Sequence, residues 1–217
     1  MKQEHAHFNM VEQQIRTWKV LNPTLLNYLR AVPRDCFVPA QYQGLAYSEA
    51  SIPLTPSRAM IPPTILARML EALGTTPLDN VLLLGAESGY LAALLAQRAN
   101  WVRCKESDPA LLSMAADNLA AADIKNVILE EGDLLAGWPE RAPYDLIVLN
   151  GCVKEIPETL IDQLASGGKI CGFVGQSPAM KLRVIFKDQN NQLQQQEILE
   201  SHVPMLESGL QMPTFQF

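Results

Sequence analysis

Apolar positions recur along this chain at two different periods, and the change from one to the other divides it. From Asn9 the residues Val11, Ile15 and Trp18 stand at helical spacing, and Leu25, Leu26, Leu29 and Val32 repeat that spacing after Pro23, so two short helices are expected. The stretches 33–39 and 47–56 are rich in proline and serine and lack sustained periodicity, which predicts an ordered extended segment crossing a surface. Pro62 and Pro63 suit the entrance of a third helix. Its buried stripe is Ile65, Leu66, Met69, Leu70 and Leu73, and Gly74 sits where a helix ends.

Beyond Gly74, short apolar runs alternate with amphipathic helices, the pattern of parallel βαβ units and a Rossmann-like α/β sheet. Strands are expected at 81–84, 101–105, 127–130, 146–149 and 169–174. Helices are expected at 90–98 and 111–121, the second opened by Asp108 as cap and Pro109 in the first turn. From Lys181 the period changes again. Leu182, Val184 and Phe186 alternate, the polar stretch 188–192 turns the chain and 198–203 returns, so an antiparallel hairpin joins the parallel sheet, with Gln192, Gln194, Gln195 and Gln196 at a solvated tip.

A chain of 217 residues with 48% hydrophobic content can fill the core of such a domain. Its formal net charge of −6 repels phosphate backbones and anionic lipid, so nucleic acid and membrane surfaces are not expected partners. No apolar run reaches the roughly 18 residues that cross a bilayer, and the N-terminus is polar, which points to the cytoplasm. Cys36, Cys104, Cys152 and Cys171 form no C-x-x-C pair, so free, mostly buried thiols are expected and no metal site is read. The three histidines, His5, His7 and His202, lie near the chain ends, which leaves the central fold without a histidine base. Any chemistry must come from other side chains or from a cofactor.

The first parallel strand runs into Gly85-Ala86-Glu87-Ser88-Gly89-Tyr90 and a helix starts at once. A glycine turn there brings backbone N–H groups at a helix N-terminus to the polar part of a nucleotide-like cofactor. The spacing is not G-x-G-x-x-G, and Glu87 sets a carboxylate where a pyrophosphate must sit. S-adenosylmethionine, with its sulfonium and ammonium, tolerates that carboxylate better than a dinucleotide does. Glu106, at the end of the second strand, is placed to accept from ribose hydroxyls, and Asp133, after the third, can accept from an adenine amino group.

At this point the sequence resembles the protein-L-isoaspartate O-methyltransferases. The resemblance rests on Met10-Val11-Glu12-Gln13-Gln14-Ile15, Val32-Pro33-Arg34-Asp35-Cys36-Phe37-Val38-Pro39, Ala46-Tyr47-Ser48, the turn from Gly85 to Tyr90, Gly132-Asp133 with Gly137-Trp138, Ala142-Pro143-Tyr144-Asp145, and Gly167-Gly168. It covers nearly the whole chain. It implies a seven-stranded fold that binds S-adenosylmethionine through Gly85, Glu87, Ser88, Gly89, Glu106 and Asp133. It also implies a cytosolic monomer that methylates the α-carboxyl of isoaspartyl residues in damaged proteins. On this reading the chain is one domain, with residues 1–78 as a helical substrate-side extension, 79–180 as the cofactor core and 181–217 as the C-terminal hairpin.

Two departures from the family pattern stand out. The loop that in the family reads Gly-Gln-Thr-Ile-Ser-Gln-Pro is here Ser57-Arg58-Ala59-Met60-Ile61-Pro62-Pro63. The resemblance implies that the lost hydroxyls orient the substrate carboxylate; Ala59 and Ile61 cannot donate a hydrogen bond, and losing positioned donors can cost about 10² in rate. Arg58 reads either as a solvated loop arginine or as a guanidinium able to bind a carboxylate and partly replace those hydroxyls. In the cofactor turn, Leu83 stands where the family has an acid and Glu87 where it has glycine, so Glu87 either pairs with the cofactor ammonium or obstructs it. Two functions therefore stay open: a carboxyl methyltransferase acting on a peptide or protein substrate, and a catalytically degenerate paralogue that keeps the fold and a nucleoside pocket as a binding or scaffold protein.

Overall fold

The computed structural model describes residues 2–74, 76–188 and 192–206. Its first helix, α1 (Lys2–Asn9), starts earlier than the apolar spacing predicts and continues into a π-helical turn over Met10–Ile15 and a 3-10 turn over Arg16–Trp18. Met10, Val11 and Ile15 are buried, whereas Trp18 is half exposed. The second helix, α2 (Pro23–Ala31), is capped by Asn22, whose side chain accepts from the N–H groups of Thr24 and Leu25 at 3.0 and 3.3 Å.

The segment expected to be extended is in fact coiled. Two 3-10 turns, Arg34–Phe37 and Ala40–Leu45, follow Pro33 and Pro39, which fix φ at the entrance of each. Strand pairing in this stretch takes the form of a small hairpin, β1 (Ile52–Pro53) against β2 (Ala59–Met60), with Ile52 opposite Met60 and Pro53 opposite Ala59. The third helix, α3 (Pro63–Leu73), buries the expected stripe and stops at Gly74. Its first turn is also tied to Glu49, which accepts from both the backbone N–H and the hydroxyl of Thr64.

The remaining elements are β3 (Leu78–Leu84), α4 (Tyr90–Ala96), β4 (Ala99–Glu106), α5 (Pro109–Ala121), β5 (Val127–Glu131), β6 (Tyr144–Val153), α6 (Glu158–Asp162), β7 (Leu164–Gln176), β8 (Ala179–Lys187) and β9 (Leu193–Glu200). They build one seven-stranded sheet in the order β5-β4-β3-β6-β7-β8-β9. The first five strands run parallel, and β8 and β9 are antiparallel additions. Successive residues of β3 serve opposite cores: Val81 and Leu83 pack with α3, α4 and α5, and Leu82 and Leu84 pack with Ile147, Leu160 and Trp138. Burial on both faces explains why these strands read as unbroken apolar runs.

The hairpin departs from its expected form. Its second strand begins at Leu193, so Gln194, Gln195 and Gln196 lie within β9 opposite Phe186, Ile185 and Val184. They face solvent along an edge strand, where a polar residue costs little, and residues 189–191 of the expected turn at 188–192 fall outside the described residues. After β9 the chain returns to the C-terminal end of β6, where the Cys152 N–H donates to Pro204 O and the Leu206 N–H to Cys152 O, both at 2.8 Å. Strand order reverses at β3, which lies between β4 and β6. A crevice outside the carboxyl ends of strands at such a switch point is where open α/β sheets bind ligands.

Candidate functional site

The turn leaving β3 has three residues with positive φ: Gly85 at 93°, Glu87 at 51° and Gly89 at 85°. Gly89 is structural, since a side chain there meets Ala115 O and Leu119 Cγ at 3.2 Å and pushes α4 off α5. Glu87 holds a left-handed conformation that costs a non-glycine residue about 1 kcal/mol or more. What holds it is a neighbouring strand: the Glu87 N–H donates to Glu106 Oε2 at 3.1 Å.

Glu106, the last residue of β4, is fully buried. Its Oε1 accepts from the N–H groups of Ser107 and Asp108 at 2.9 and 3.2 Å, so three backbone donors fix the carboxylate. Facing it is Arg58, only 6% exposed, with Nη1 3.5 Å from Oε1 and Nη2 3.4 Å from Oε2. Nη1 also donates to Leu206 O at 2.9 Å, and Nε lies 3.8 Å from Glu87 Oε1. The solvated-arginine reading is thus overturned: Arg58 does meet a carboxylate with both terminal nitrogens, but it is the protein's own. The β1–β2 hairpin delivers it. Thr55 Oγ1 accepts from the N–H groups of Ser57 and Arg58, and Arg58 O accepts from those of Leu54 and Thr55, so the exposed tip at Pro56 and Ser57 turns the Arg58 side chain inward.

Around this pair the walls are rigid. Arg34, also buried, donates from Nη2 to Ile61 O at 2.9 Å and lies 5.2 Å from the centre of the Tyr90 ring, which fixes the end of the loop that carries Ala59. Asn150 Nδ2 donates to Gly85 O at 3.1 Å across the β3–β6 boundary. Burial pushes the Glu87 carboxyl up to about 8, against the opposing pull of Arg58, so it is largely neutral at pH 7. Ser88 is buried, and its carbonyl accepts from Asn118 Nδ2 at 2.9 Å.

The structure brings together Arg58, Ile61, Gly85, Glu87, Ser88 and Glu106 from the residues expected on sequence grounds. Asp133 stands apart: it is exposed, and its Oδ1 closes its own turn by accepting from Leu135 and Ala136 N–H at 2.8 and 3.3 Å. Ala59 sits in β2 with its backbone paired to Pro53. Sequence reasoning passed over Leu206. Only the apolar character of Val203, Met205 and Leu206 hinted that the chain after the hairpin returns to pack. Three cysteines are buried as expected, and Cys36 is exposed. At the other end of the sheet a cavity of about 360 Å³ is lined by Asp79, Arg98, Asn100, Asp145 and Lys169 among others, none of them expected to carry chemistry.

The family model for protein-L-isoaspartate(D-aspartate) O-methyltransferase matches residues 5–208. A protein-L-isoaspartate O-methyltransferase 1 of Rhodopseudomonas palustris (strain HaA2) is 42% identical over 166 residues, covering 76% of this chain and 68% of its own. A protein-L-isoaspartate O-methyltransferase of Gloeobacter violaceus is 35% identical over 197 residues, covering 90% of this chain and 96% of its own. Among solved structures, a Plasmodium falciparum protein assigned as a protein-L-isoaspartate O-methyltransferase, in complex with S-adenosyl-L-homocysteine, superimposes with a TM-score of 0.80 at 17% identity, over 94% of this chain and 99% of that one. That likeness speaks for the fold. The match across almost the whole chain, together with relatives above one-third identity, shows that the chain belongs to the protein-L-isoaspartate O-methyltransferase family.

Proposed function

We propose that the end of β3 and β4 is an S-adenosylmethionine site and that the activity is the family's, methylation of a protein carboxylate, with isoaspartyl residues as the substrate class. The observation that supports this best is Glu106, a buried acid held by the N–H groups of Glu87, Ser107 and Asp108 beside a glycine turn at the switch point of the sheet. Gly85, Glu87, Ser88, Gly89 and Glu106 form the proposed cofactor side, with Asp133 at its outer edge. The loop from Arg58 through Ala59 to Ile61 forms the substrate side. Among the described residues no helix is long and apolar enough to cross a membrane. A cytoplasmic location is part of the same reading, and a net charge of −6 supports a monomer that works without nucleic acid.

As arranged, side chains of the chain itself stand against Gly85 and Glu106. Beside them, the cavity between Arg34, Ile61, Glu87, Ser88 and Asn150 measures about 10 Å³, room for about one water. The guanidinium of Arg58 and the side chain of Leu206 lie against Gly85, where a Cβ meets Arg58 Nη2 at 2.7 Å and Leu206 Cδ1 at 2.8 Å. That closure, with Ala59 and Ile61 in the loop, favours a second reading: a degenerate paralogue acting as a binding or scaffold protein. Calorimetric titration with S-adenosylmethionine and its demethylated product, followed by a methyl-transfer assay on an isoaspartyl peptide, separates the two. Micromolar binding with transfer establishes the enzyme, binding without transfer supports the paralogue, and no binding up to millimolar ligand sinks the methyltransferase reading.

A further inference from the structure

The guanidinium of Arg58 touches both Gly85 and Glu106. It lies against Gly85, its Nη2 2.7 Å from the position a Cβ takes there. Its contacts with Glu106, at 3.4 and 3.5 Å, are longer than the 2.7–2.9 Å typical of charge-assisted bonds, and its Nε is buried without a hydrogen-bond partner. Its one short bond goes to the carbonyl of Leu206, the residue whose side chain also lies against Gly85. Its backbone rides on a hairpin of two short strands whose tip is exposed. Glu106, in contrast, is held by three backbone N–H groups that do not depend on Arg58.

We propose that Arg58, backed by Leu206, is an internal plug of the cofactor pocket: a nucleoside reaches Glu106 only after the guanidinium has left it, so Arg58 sets the affinity of the site. The inference rests on the reading of this pocket as the nucleoside site. A plug held loosely on an acid that is itself held firmly can be withdrawn while the acid stays in place. The apparent affinity is then lowered by the fraction of molecules with the plug in place, and removing the plug restores it.

The test is calorimetric titration of the full chain with S-adenosylhomocysteine, comparing wild type with Arg58→Ala, Leu206→Ala and the double variant Arg58→Ala/Glu106→Gln. Arg58→Ala is expected to bind at least about tenfold tighter than wild type, Leu206→Ala to gain a smaller factor, and the double variant to lose most of the gain. Leu206→Ala opens the pocket without touching a charge, so it keeps the inference testable if Arg58→Ala folds poorly. Equal or weaker binding by both single variants, with micromolar binding by wild type, overturns the plug and leaves the cofactor site standing. Absence of binding up to millimolar ligand in wild type and in the folded single variants overturns the site and the plug together.

Discussion

Glu106 and Asp133 are the same kind of group at neighbouring strand ends, and the fold treats them in opposite ways. One closes β4 and the other follows β5, with Glu106 paired in register to Glu131 just before Asp133. Both carboxylates accept backbone N–H groups, Glu106 from Glu87, Ser107 and Asp108, Asp133 from Leu135 and Ala136. The difference lies in what else reaches them. β4 is an inner strand, so the turn after β3 and the hairpin carrying Arg58 close over its end and Glu106 has no solvent exposure. β5 is the sheet edge, and Asp133 stays in water. Depth in the sheet, more than residue type, separates a site acid from a turn cap.

The largest expected effect that tests this contrast is Glu106→Ala. It leaves a buried guanidinium without its carboxylate and orphans three N–H groups, so urea unfolding should show a loss of about 3–5 kcal/mol. A loss below about 1 kcal/mol means that Arg58 is hydrated and the end of β4 is not closed.

Next in size is a pH effect at Glu87. Its folded carboxyl titrates at about 8, above the ordinary 4.5, so the folded state binds the proton more tightly than the unfolded chain. Stability should therefore fall as pH rises from about 4.5 to about 8, by at most about 1.4 kcal/mol per unit, and level off above that. Glu87→Gln should flatten the profile in that window, and an unchanged slope removes Glu87 as its cause.

Smaller again is Tyr90→Phe. The Tyr90 hydroxyl is buried with no hydrogen-bond partner among the described residues, so the variant should melt at the same temperature or higher, with a gain of up to about 1 kcal/mol. A clear loss reveals a partner for the hydroxyl. Smallest is Asp133→Ala, where an exposed turn loses its side-chain acceptor and thermal unfolding should report about 0.5–1 kcal/mol. A cost matching that of Glu106→Ala collapses the contrast between inner and edge strands.

Much of the fold was legible because local chemistry agrees with it. Asp108 caps α5 by accepting from the Ala110 N–H, the apolar runs became strands buried on both faces, and the glycine turn follows β3 as expected. Glu106 was found because strand ends in parallel sheets have a defined place relative to the crevice. Arg58 was not resolved, because a polar residue in a proline- and serine-rich loop looks solvated until its loop is seen folded over an acid 48 positions later in sequence. Leu206 was missed for a similar reason: its burial depends on hydrogen bonds between the chain after β9 and Cys152 on β6, which no local pattern encodes. The coiling after Pro33 was misjudged since proline suits both extended backbone and helix entrances.

What the sequence alone determined, then, is the family, the parallel sheet with its antiparallel end, the glycine turn after β3 and the acid at the end of β4, since each follows from period, spacing or a short motif. Only the tertiary structure decided that Glu106 is buried while Asp133 is not, that Glu87 and Glu106 share one guanidinium, and that Arg58 with Leu206 fills the crevice. Burial and charge pairing depend on which distant segments pack over a strand end, and that is set by the sum of long-range contacts rather than by neighbours along the chain.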